Sequence, residues 1–430
     1  MVSRRLSATA LVLALALGGT IFAAGAAGAS APTGVAGAGK CKNDTGVSDT
    51  EIKVGAIFPT SGPSAAFFAA AKDGIQARFA KADAEGETGD RKLTLDVADD
   101  AADPARNLTA AQALVEQDGD FGVISVTNQS DSSAAYLNQQ GVPVAGWHVG
   151  NGAWGKYKNM FGWRNSNPPD PSKVFTTRNG DVVKKLGGTK IALVGTNAAS
   201  SATFIEQLAS SMPKSGIKVV YKTNDLTSAD RDFTGVAQKI KDSGADSVYS
   251  GLDTVGSSGL NTALLQAGVK PKVIVFPAAY DKRVLALPGI EGALISTEFK
   301  PFELNPPAFQ EYQKWMQQEL PDASFYGIVP YVGWLSADAF IEGIKAAGKD
   351  CPTRKAFIAN LRKKKGYTAN GAFDPVDFAK VFGKPILCAY YSQVQNGAFV
   401  PLFESKPVCA KALIVDGKVK PLTPAQIKNS

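Results

Sequence analysis

Small polar side chains follow two apolar segments near the start of the chain. Thr60-Ser61-Gly62 comes after the apolar run from Ile52 to Phe58, and Thr127-Asn128-Gln129 comes after the run from Gly122 to Val126. Hydroxyl and N–H donors of this kind can surround an anionic group without steric bulk. The same residues also suit helix capping, because a helix is predicted from Ser132. Both loops are therefore candidate ligand contacts, with capping of the following helix as the alternative role of Thr127 and Asn128.

Aromatic and further polar side chains occupy the corresponding places after later apolar segments. Trp147 and Tyr280 offer ring faces on which an apolar ligand can stack, and Asp253 offers a charge that suits a cationic ligand. The nine candidate ligand contacts are Ser61, Thr127, Asn128, Gln129, Trp147, His148, Asn197, Asp253 and Tyr280.

His148 is the only histidine in the chain. A buried structural role explains a single histidine as well as a ligand contact does, so both remain open. We expect no metal site, because no His or Cys cluster has ligand spacing. We also expect no enzyme, because a Ser-His-acid triad would have to use His148 and no G-x-S-x-G turn supplies its nucleophile. An exported hydrolase built around His148 is the alternative that turnover would reveal.

Two glycine-rich segments do not predict a nucleotide cofactor. Gly150 to Gly155 fits G-x-G-x-x-G, but no long helix follows it. Gly343 to Lys349 is similar to a P-loop, but it ends a predicted helix and Asp350 replaces the required hydroxyl residue. We therefore expect no cofactor.

Apolar and amphipathic segments alternate from Ile52 to Ala145 and again from Lys190 to Phe276. This pattern indicates an α/β fold class with two doubly wound, Rossmann-like lobes, each built on a parallel sheet. The proline-rich run from Asn165 to Pro171 separates them. Ligands of such sheets bind beyond the carboxyl ends of the strands, so two facing edges predict a cleft. Asn396-Gly397 between two strand-like runs predicts a β-hairpin.

The N-terminus is typical of an exported protein. Two arginines precede a short apolar region, and Ala27-Gly28-Ala29 offers a small-residue cleavage site. Residues 1–29 are predicted to be a cleaved signal peptide and residues 30–46 a flexible leader. Cys41 follows a lysine far from the apolar region, so we expect no lipidation. The predicted location is secreted or extracytoplasmic.

The length of 430 residues exceeds what one core usually supports. The predicted first lobe comprises residues 47–164 and 300–375, the second lobe residues 170–296 and 386–410, and residues 411–430 form a C-terminal tail. The formal net charge of +7 is small and the charges of both signs are interspersed, so nucleic-acid binding is not expected. We expect a monomer.

The chain has four cysteines, an even number that suggests two disulfides in an exported protein. Three pairings are possible, and spacing alone cannot decide among them. Of these we favour Cys351 with Cys388 and Cys41 with Cys409.

Several motifs, in order and spacing, are similar to those of one known family. They are Thr50 to Pro63, Asp99 to Pro104, Gly141 to Val144, Asp230 to Phe233 and the late hairpin from Asn396 to Pro401. The chain resembles the solute-binding subunits of ABC importers, specifically the leucine/isoleucine/valine-binding protein family. The resemblance covers residues 47 to 410.

This resemblance implies a type I periplasmic binding protein fold whose lobes are joined by a three-crossing hinge, near Asn165 to Pro171, Thr297 to Phe302 and Phe373 to Pro385. It implies a small amino-acid-like, amide or carboxylic-acid ligand, delivered to a membrane permease and its ATPase. Thr127 and Asn128 occupy the place where the family binds the ligand's carboxylate. Ala278 stands where amino-acid binders carry an acid for the ammonium group, so a standard branched-chain amino-acid site is not expected. A secreted ligand-sensing domain on the same scaffold is the alternative.

Overall fold

The computed structural model describes residues 44–62, 64–149, 151–227 and 229–428. The predicted signal peptide, residues 30–43 of the predicted leader, and Cys41 with its predicted lack of lipidation lie outside these residues. Among the described helices, none combines the length and the apolar character that crossing a bilayer requires.

The first sheet consists of parallel strands β1 (Glu51–Ile57), β2 (Lys92–Ala98), β3 (Gly122–Ser125), β4 (Val144–Gly146) and β5 (Met160–Gly162). Their order is β2-β1-β3-β4-β5. The helices between them are α1 (Ala65–Phe68), α2 (Ala71–Glu85), α3 (Pro104–Gln112), α4 (Ser130–Gln139) and α5 (Ala153–Lys156). Neighbouring residues of β1 and β3 are buried on both faces of the sheet, which explains their continuous apolar runs.

The second sheet follows β6 (Val174–Thr176) and α6 (Arg178–Lys185). Its strands are β7 (Lys190–Thr196), β8 (Lys218–Leu226), β9 (Ser247–Ser250), β10 (Val273–Val275), β11 (Ala293–Thr297), β12 (Cys388–Gln395) and β13 (Ala398–Pro401), with β14 (Val408–Cys409) beside β12. Strands β7 to β11 are parallel, with α7 (Ala199–Ser211), α8 (Thr234–Ser243) and α9 (Thr254–Gln266) between them. Asn396 and Gly397 both have positive φ at the β12–β13 turn, so the predicted hairpin is confirmed.

The chain passes between the two sheets three times. Residues 163–173 lead from β5 to β6, and residues 298–306 lead from β11 to α10 (Pro307–Glu319). Next come α11 (Ile328–Ala347), α12 (Arg354–Leu361) and α13 (Phe378–Val381), and α10 and α11 pack against α2 of the first sheet. Residues 382–387 then return the chain to β12. We call these three segments the first, second and third crossings.

A third, small sheet has the order β16-β15-β6, where β15 is Ala412–Val415 and β16 is Lys418–Pro421, followed by α14 (Pro424–Lys428). The residues between 411 and 428 thus fold back on the exit of the first crossing. The short elements β5, β6, α6 and β11 were also missed by the pattern of apolar residues, because each has too few residues or too weak a pattern to show a period.

The favoured disulfide pairing is wrong. Strand β14 pairs antiparallel with β12 so that Cys409 lies opposite Cys388, with their Cα atoms 3.9 Å apart, and these two form a disulfide. Cys351 is also disulfide-bonded. The late strand β14 was not apparent in the sequence, and it is this strand that selects the partner of Cys388.

Candidate functional site

The carboxyl ends of β1, β2 and β3 are joined by hydrogen bonds from their loops. The Asp99 carboxylate accepts from the Thr60 and Ser61 amides at 2.8 and 3.2 Å, and from the Ser61 hydroxyl. Burial acts to raise the pKa of Asp99, but these donors hold it below its ordinary value. Ser61 itself is exposed at this edge, although its hydroxyl is already engaged.

Asp100, which follows β2, is hydrogen-bonded to the loop after β3. Its buried carboxylate accepts from the Thr127 hydroxyl at 2.6 Å and from the Asn107 amide at 2.9 Å. Gln129 donates from its side chain to the carbonyl of Ala102 at 3.0 Å. The Thr127 side chain is fully buried, so its role in the described structure is to hold this loop in place.

The helix that follows this loop starts without a side-chain cap. Helix α4 begins at Ser130, and the side chain of the preceding residue, Gln129, accepts no hydrogen bond from its first amides. The Ser132 amide donates to the carbonyl of Gln129 at 2.9 Å, and the first amides of α4 carry the positive end of its dipole, with Asp131 in the first turn. Asn128, half-buried beside them, has an enclosed Oδ1 atom without a hydrogen-bond partner among the described residues. The start of α4 can therefore bind an anionic group, and Asn128 can accept a hydrogen bond from a ligand N–H or O–H group.

An aromatic cluster lies at the same carboxyl edge of the first sheet, after β1 and β4, the two neighbours of β3. The Trp147 ring lies 6.3 Å from both Phe67 and Phe68, measured between ring centroids, and those two rings are 4.9 Å apart. Phe67 and Trp147 are half-buried, so part of each ring remains accessible. We call the loops 60–62, 99–102 and 127–130, with Phe67, Phe68 and Trp147, the first rim.

The second sheet presents a more polar edge. Asn197 follows β7 with its side chain exposed, and its main-chain amide donates to the carbonyl of Leu226 at 2.8 Å. Asp253 caps α9 by accepting from the Gly256 amide at 2.6 Å, and Arg231 donates to its other oxygen at 3.2 Å. We call Asn197, Arg231 and Asp253 the second rim.

His148 and Tyr280 lie apart from the two rims, near the crossings. His148 is 3% exposed, and its Nε2 atom lies 3.5 Å from the Glu298 carboxylate of the second crossing. Tyr280 is fully buried, donates to Glu303 at 2.6 Å and accepts from the Phe302 amide at 2.7 Å. Both side chains are therefore engaged in the core between the sheets.

The nine candidates thus fall into three groups. Ser61, Thr127, Asn128, Gln129 and Trp147 share the first rim; Asn197 and Asp253 share the second; His148 and Tyr280 lie near the crossings. Sequence reasoning missed Arg231 as the partner of Asp253, because no local pattern indicates an ion pair between the loop before α8 and the start of α9.

The described residues contain no group of three or more His, Cys, Asp or Glu side chains that could hold a metal ion. The rims offer hydrogen-bond donors, an uncapped helix end and aromatic faces instead. Such an arrangement can bind a small organic anion non-covalently.

The chain is similar in sequence to known solute-binding proteins. Residues 51–398 match the family described as periplasmic binding protein. The Leu/Ile/Val-binding protein homolog 3 of Brucella melitensis is 26% identical over 309 residues, which cover 69% of this chain and 78% of the relative.

Two solved structures show the same fold. One is a branched-chain amino acid ABC transporter protein from Thermus thermophilus with bound valine, with 15% identity and a TM-score of 0.72 over 85% of this chain and 98% of the other. The other is an ABC-transporter solute-binding protein from R. palustris in complex with benzoate, with 17% identity and a TM-score of 0.67 over 85% and 99%. The predicted fold class is confirmed: a type I periplasmic binding protein fold of two α/β lobes.

Proposed function

Because this chain belongs to the periplasmic binding protein family, whose members are solute-binding proteins and not enzymes, we propose that it is the solute-binding subunit of an ABC importer. It closes on a small amino-acid-like, amide or carboxylic-acid ligand outside the cytoplasm, and then delivers the ligand to a membrane permease driven by an ATPase. The single observation that carries this proposal is the first rim, where an uncapped helix end and partly accessible aromatic rings share one edge of the first sheet.

Within this class we favour a carboxylic acid with an apolar or aromatic body. The amides at the start of α4 receive the carboxylate, and the unpartnered Oδ1 atom of Asn128 accepts from an N–H or O–H donor of the ligand or of a water molecule. Trp147 and Phe67 then receive the apolar part of the ligand, since they follow strands on either side of β3 at the same sheet edge and are half-exposed. The bound benzoate of the relative from R. palustris is a ligand of this kind.

An ammonium group on the ligand finds little support at the second rim. Asp253 already accepts from the Gly256 amide and from Arg231. Ala278, which follows β10, carries no charge. An ammonium group taken from water needs a charged or hydrogen-bonding partner, so a ligand without one binds the second rim at lower cost.

Closure joins the two rims around the ligand. The second rim contributes Asn197 and the Arg231–Asp253 pair, which contact the ligand only when the lobes approach. A ligand held by both rims stabilises the closed form, and no covalent step is required. The protein acts as a monomer after removal of a signal peptide at residues 1–29, and it is not lipidated at Cys41.

A thermal-shift experiment with matched ligand pairs tests the proposal. We expect 3-phenylpropanoate and 4-methylpentanoate to raise the melting temperature more than phenylalanine and leucine, which add only the ammonium group. If the amino acids bind more tightly, the favoured ligand is wrong but the binding function stands. If no acid, amide or amino acid binds, and no small molecule is released from the purified protein on denaturation, the proposed function is wrong.

A matched pair of variants locates the site. Trp147→Leu is expected to weaken binding of 3-phenylpropanoate by about tenfold, since a stacked ring contributes on the order of 1 kcal/mol beyond its buried area. Tyr157→Leu alters another half-buried ring, after α5, and is expected to leave binding unchanged. Equal effects of the two variants would place the ligand elsewhere.

A further inference from the structure

Arg164 holds an unusual position at the junction of the two lobes. It lies two residues after β5, at the start of the first crossing, and is 3% exposed. Its Nη1 atom donates to the carbonyl of Glu298 at 2.7 Å and to the carbonyl of Cys388 at 3.4 Å. Glu298 is the first residue of the second crossing, and Cys388, the first residue of β12, directly follows the third crossing. One guanidinium group in the first crossing therefore contacts the start of the second crossing and the strand that the third crossing leads into; we call Arg164, Glu298 and Cys388 the hinge node.

Neighbouring contacts reinforce this connection. The Ser166 hydroxyl, buried in the first crossing, donates to the carbonyl of Val381 at 3.1 Å and accepts from the Gly383 amide at 2.8 Å, at the start of the third crossing. The Trp163 ring packs 5.5 Å from Phe373 and 6.4 Å from Phe299 of the second crossing. The crossings are thus bound to one another as well as to the lobes.

The charge of Arg164 is enclosed and is balanced mainly by one acid. Burial lowers the pKa of Arg164, and the nearby Glu298 opposes this. Burial acts to raise the pKa of Glu298, but His148 and then Arg164 hold it below its ordinary value. The partly buried Glu298 carboxylate, 3.5 Å from His148, thus balances the enclosed charge of Arg164.

We propose that Arg164 is the pivot of the hinge: a positioning residue that keeps the ligand-free lobes within closing range by fixing the second and third crossings to the first. Its two acceptors are main-chain carbonyls directly after β11 and at the first residue of β12, two strands of the second sheet, whereas Arg164 follows β5 of the first sheet. A rotation of the lobes about this point leaves both hydrogen bonds intact.

This role links a distant residue to ligand affinity. The apparent affinity for a ligand equals the affinity of the binding-competent arrangement multiplied by the fraction of molecules that adopt it. Without the pivot, the ligand-free lobes sample wider openings, whereas the ligand-bound lobes are held by the ligand itself. The proposal rests on the proposed function only in that the lobes close on a ligand; its first test needs no ligand.

The experiment compares Arg164→Lys with Arg354→Lys. Arg354 provides the matched control, because it also donates to two main-chain carbonyls, those of Phe121 and Asp120 at 2.9 and 2.6 Å, but within the first lobe. Small-angle X-ray scattering of the ligand-free full chain measures the distribution of openings. We expect a broader and more open distribution for Arg164→Lys, and a wild-type distribution for Arg354→Lys. Ser166→Ala, a milder change in the same crossing, is expected to shift the distribution in the same direction if Arg164→Lys does not fold.

Binding kinetics give a second readout that a merely structural role would not change. With benzoate or leucine as the probe, whichever shifts the wild-type melting temperature, Arg164→Lys is expected to bind about tenfold more weakly through slower association, with dissociation unchanged. Unaltered scattering of both Arg164→Lys and Ser166→Ala, or an equal loss of affinity in Arg354→Lys, overturns the proposal. If neither probe binds the wild type, the scattering comparison still decides the pivot, and the binding function fails separately.

Discussion

Asp120 is a buried acid whose substitution should stabilise the protein. It precedes β3, its side chain is fully buried, and neither carboxylate oxygen accepts a hydrogen bond from a described donor. Burial, and then the neighbouring Asp96 of β2, raise the pKa of Asp120 from 3.8 to about 8. Gly55 of β1 leaves room for this carboxyl, since a Cβ atom there would lie 2.7 Å from its Oδ2 atom.

The sign and size of the effect follow from proton linkage. The folded protein keeps Asp120 protonated at neutral pH, whereas the unfolded chain releases the proton above its ordinary pKa. Folding is therefore penalised by about 1.4 kcal/mol for each pH unit between about pH 4 and pH 8, and by no more above that range. At pH 7 the penalty reaches about 4 kcal/mol as an upper limit. An asparagine side chain at this position is uncharged at every pH, so Asp120→Asn removes the penalty.

Urea unfolding of the two proteins at about pH 4, 6 and 8 measures this difference. We expect Asp120→Asn to match the wild type near pH 4 and to exceed it increasingly up to pH 8. Asp90→Asn changes an exposed acid that does not contribute to the pKa shift of Asp120 and is the control, with a change within about 0.5 kcal/mol. A constant difference across this pH range, or a loss of stability at pH 8, would show that Asp120 is ionised in the folded protein and refute the reasoning.

Three further predictions concern other buried polar groups. Burial acts to raise the pKa of Glu87, but hydrogen bonds and charge from Arg78 lower it to about 2. Glu87 therefore stabilises the fold above pH 4.5, and this contribution is lost as the pH falls to 2. In urea unfolding, Glu87→Gln should reduce the loss of stability between pH 4.5 and pH 2. Thr127→Val should reduce the free energy of unfolding by about 1.5–3 kcal/mol by removing the bond to Asp100, whereas Thr127→Ser keeps the hydroxyl and should lose less. His148→Gln should lower stability but leave ligand affinity within about twofold, as calorimetry can check, because His148 faces Glu298; a large affinity loss would place it in the ligand site.

The parts of the fold that were predictable are those with long periodic patterns. The buried runs of β1 and β3 and the amphipathic helices fixed the α/β class, because a strand covered on both faces must be apolar throughout. Asn396-Gly397 identified its hairpin, since both residues tolerate the positive φ that the turn requires. These signals are local, and local sequence suffices to express them.

The contacts between distant segments were not predictable in the same way. Trp147 and Asn128 lie on the first rim because the loops after parallel strands share one edge. Nothing local distinguished them from His148, which follows Trp147 directly but faces Glu298 of the second crossing, far along the chain. Tyr280 likewise follows β10 as a rim residue would, yet the folded chain covers it completely. Side-chain direction at a strand end depends on the tertiary packing of the crossings.

The small sheet at the C-terminus changes where the folded unit ends. The family pattern stops at residue 398, but β15 lies beyond it and pairs with β6 at the exit of the first crossing. Asp181 of α6 depends on this return, because its carboxylate accepts from the Lys411 amide at 3.0 Å and from Thr177 at 2.7 Å. A chain truncated at the family boundary would lose Cys409 and leave β6 as an unpaired strand beside the hinge. Residues through β15 are therefore needed to pair β6 and to retain the Cys388–Cys409 disulfide, so the folded second lobe extends beyond the family pattern.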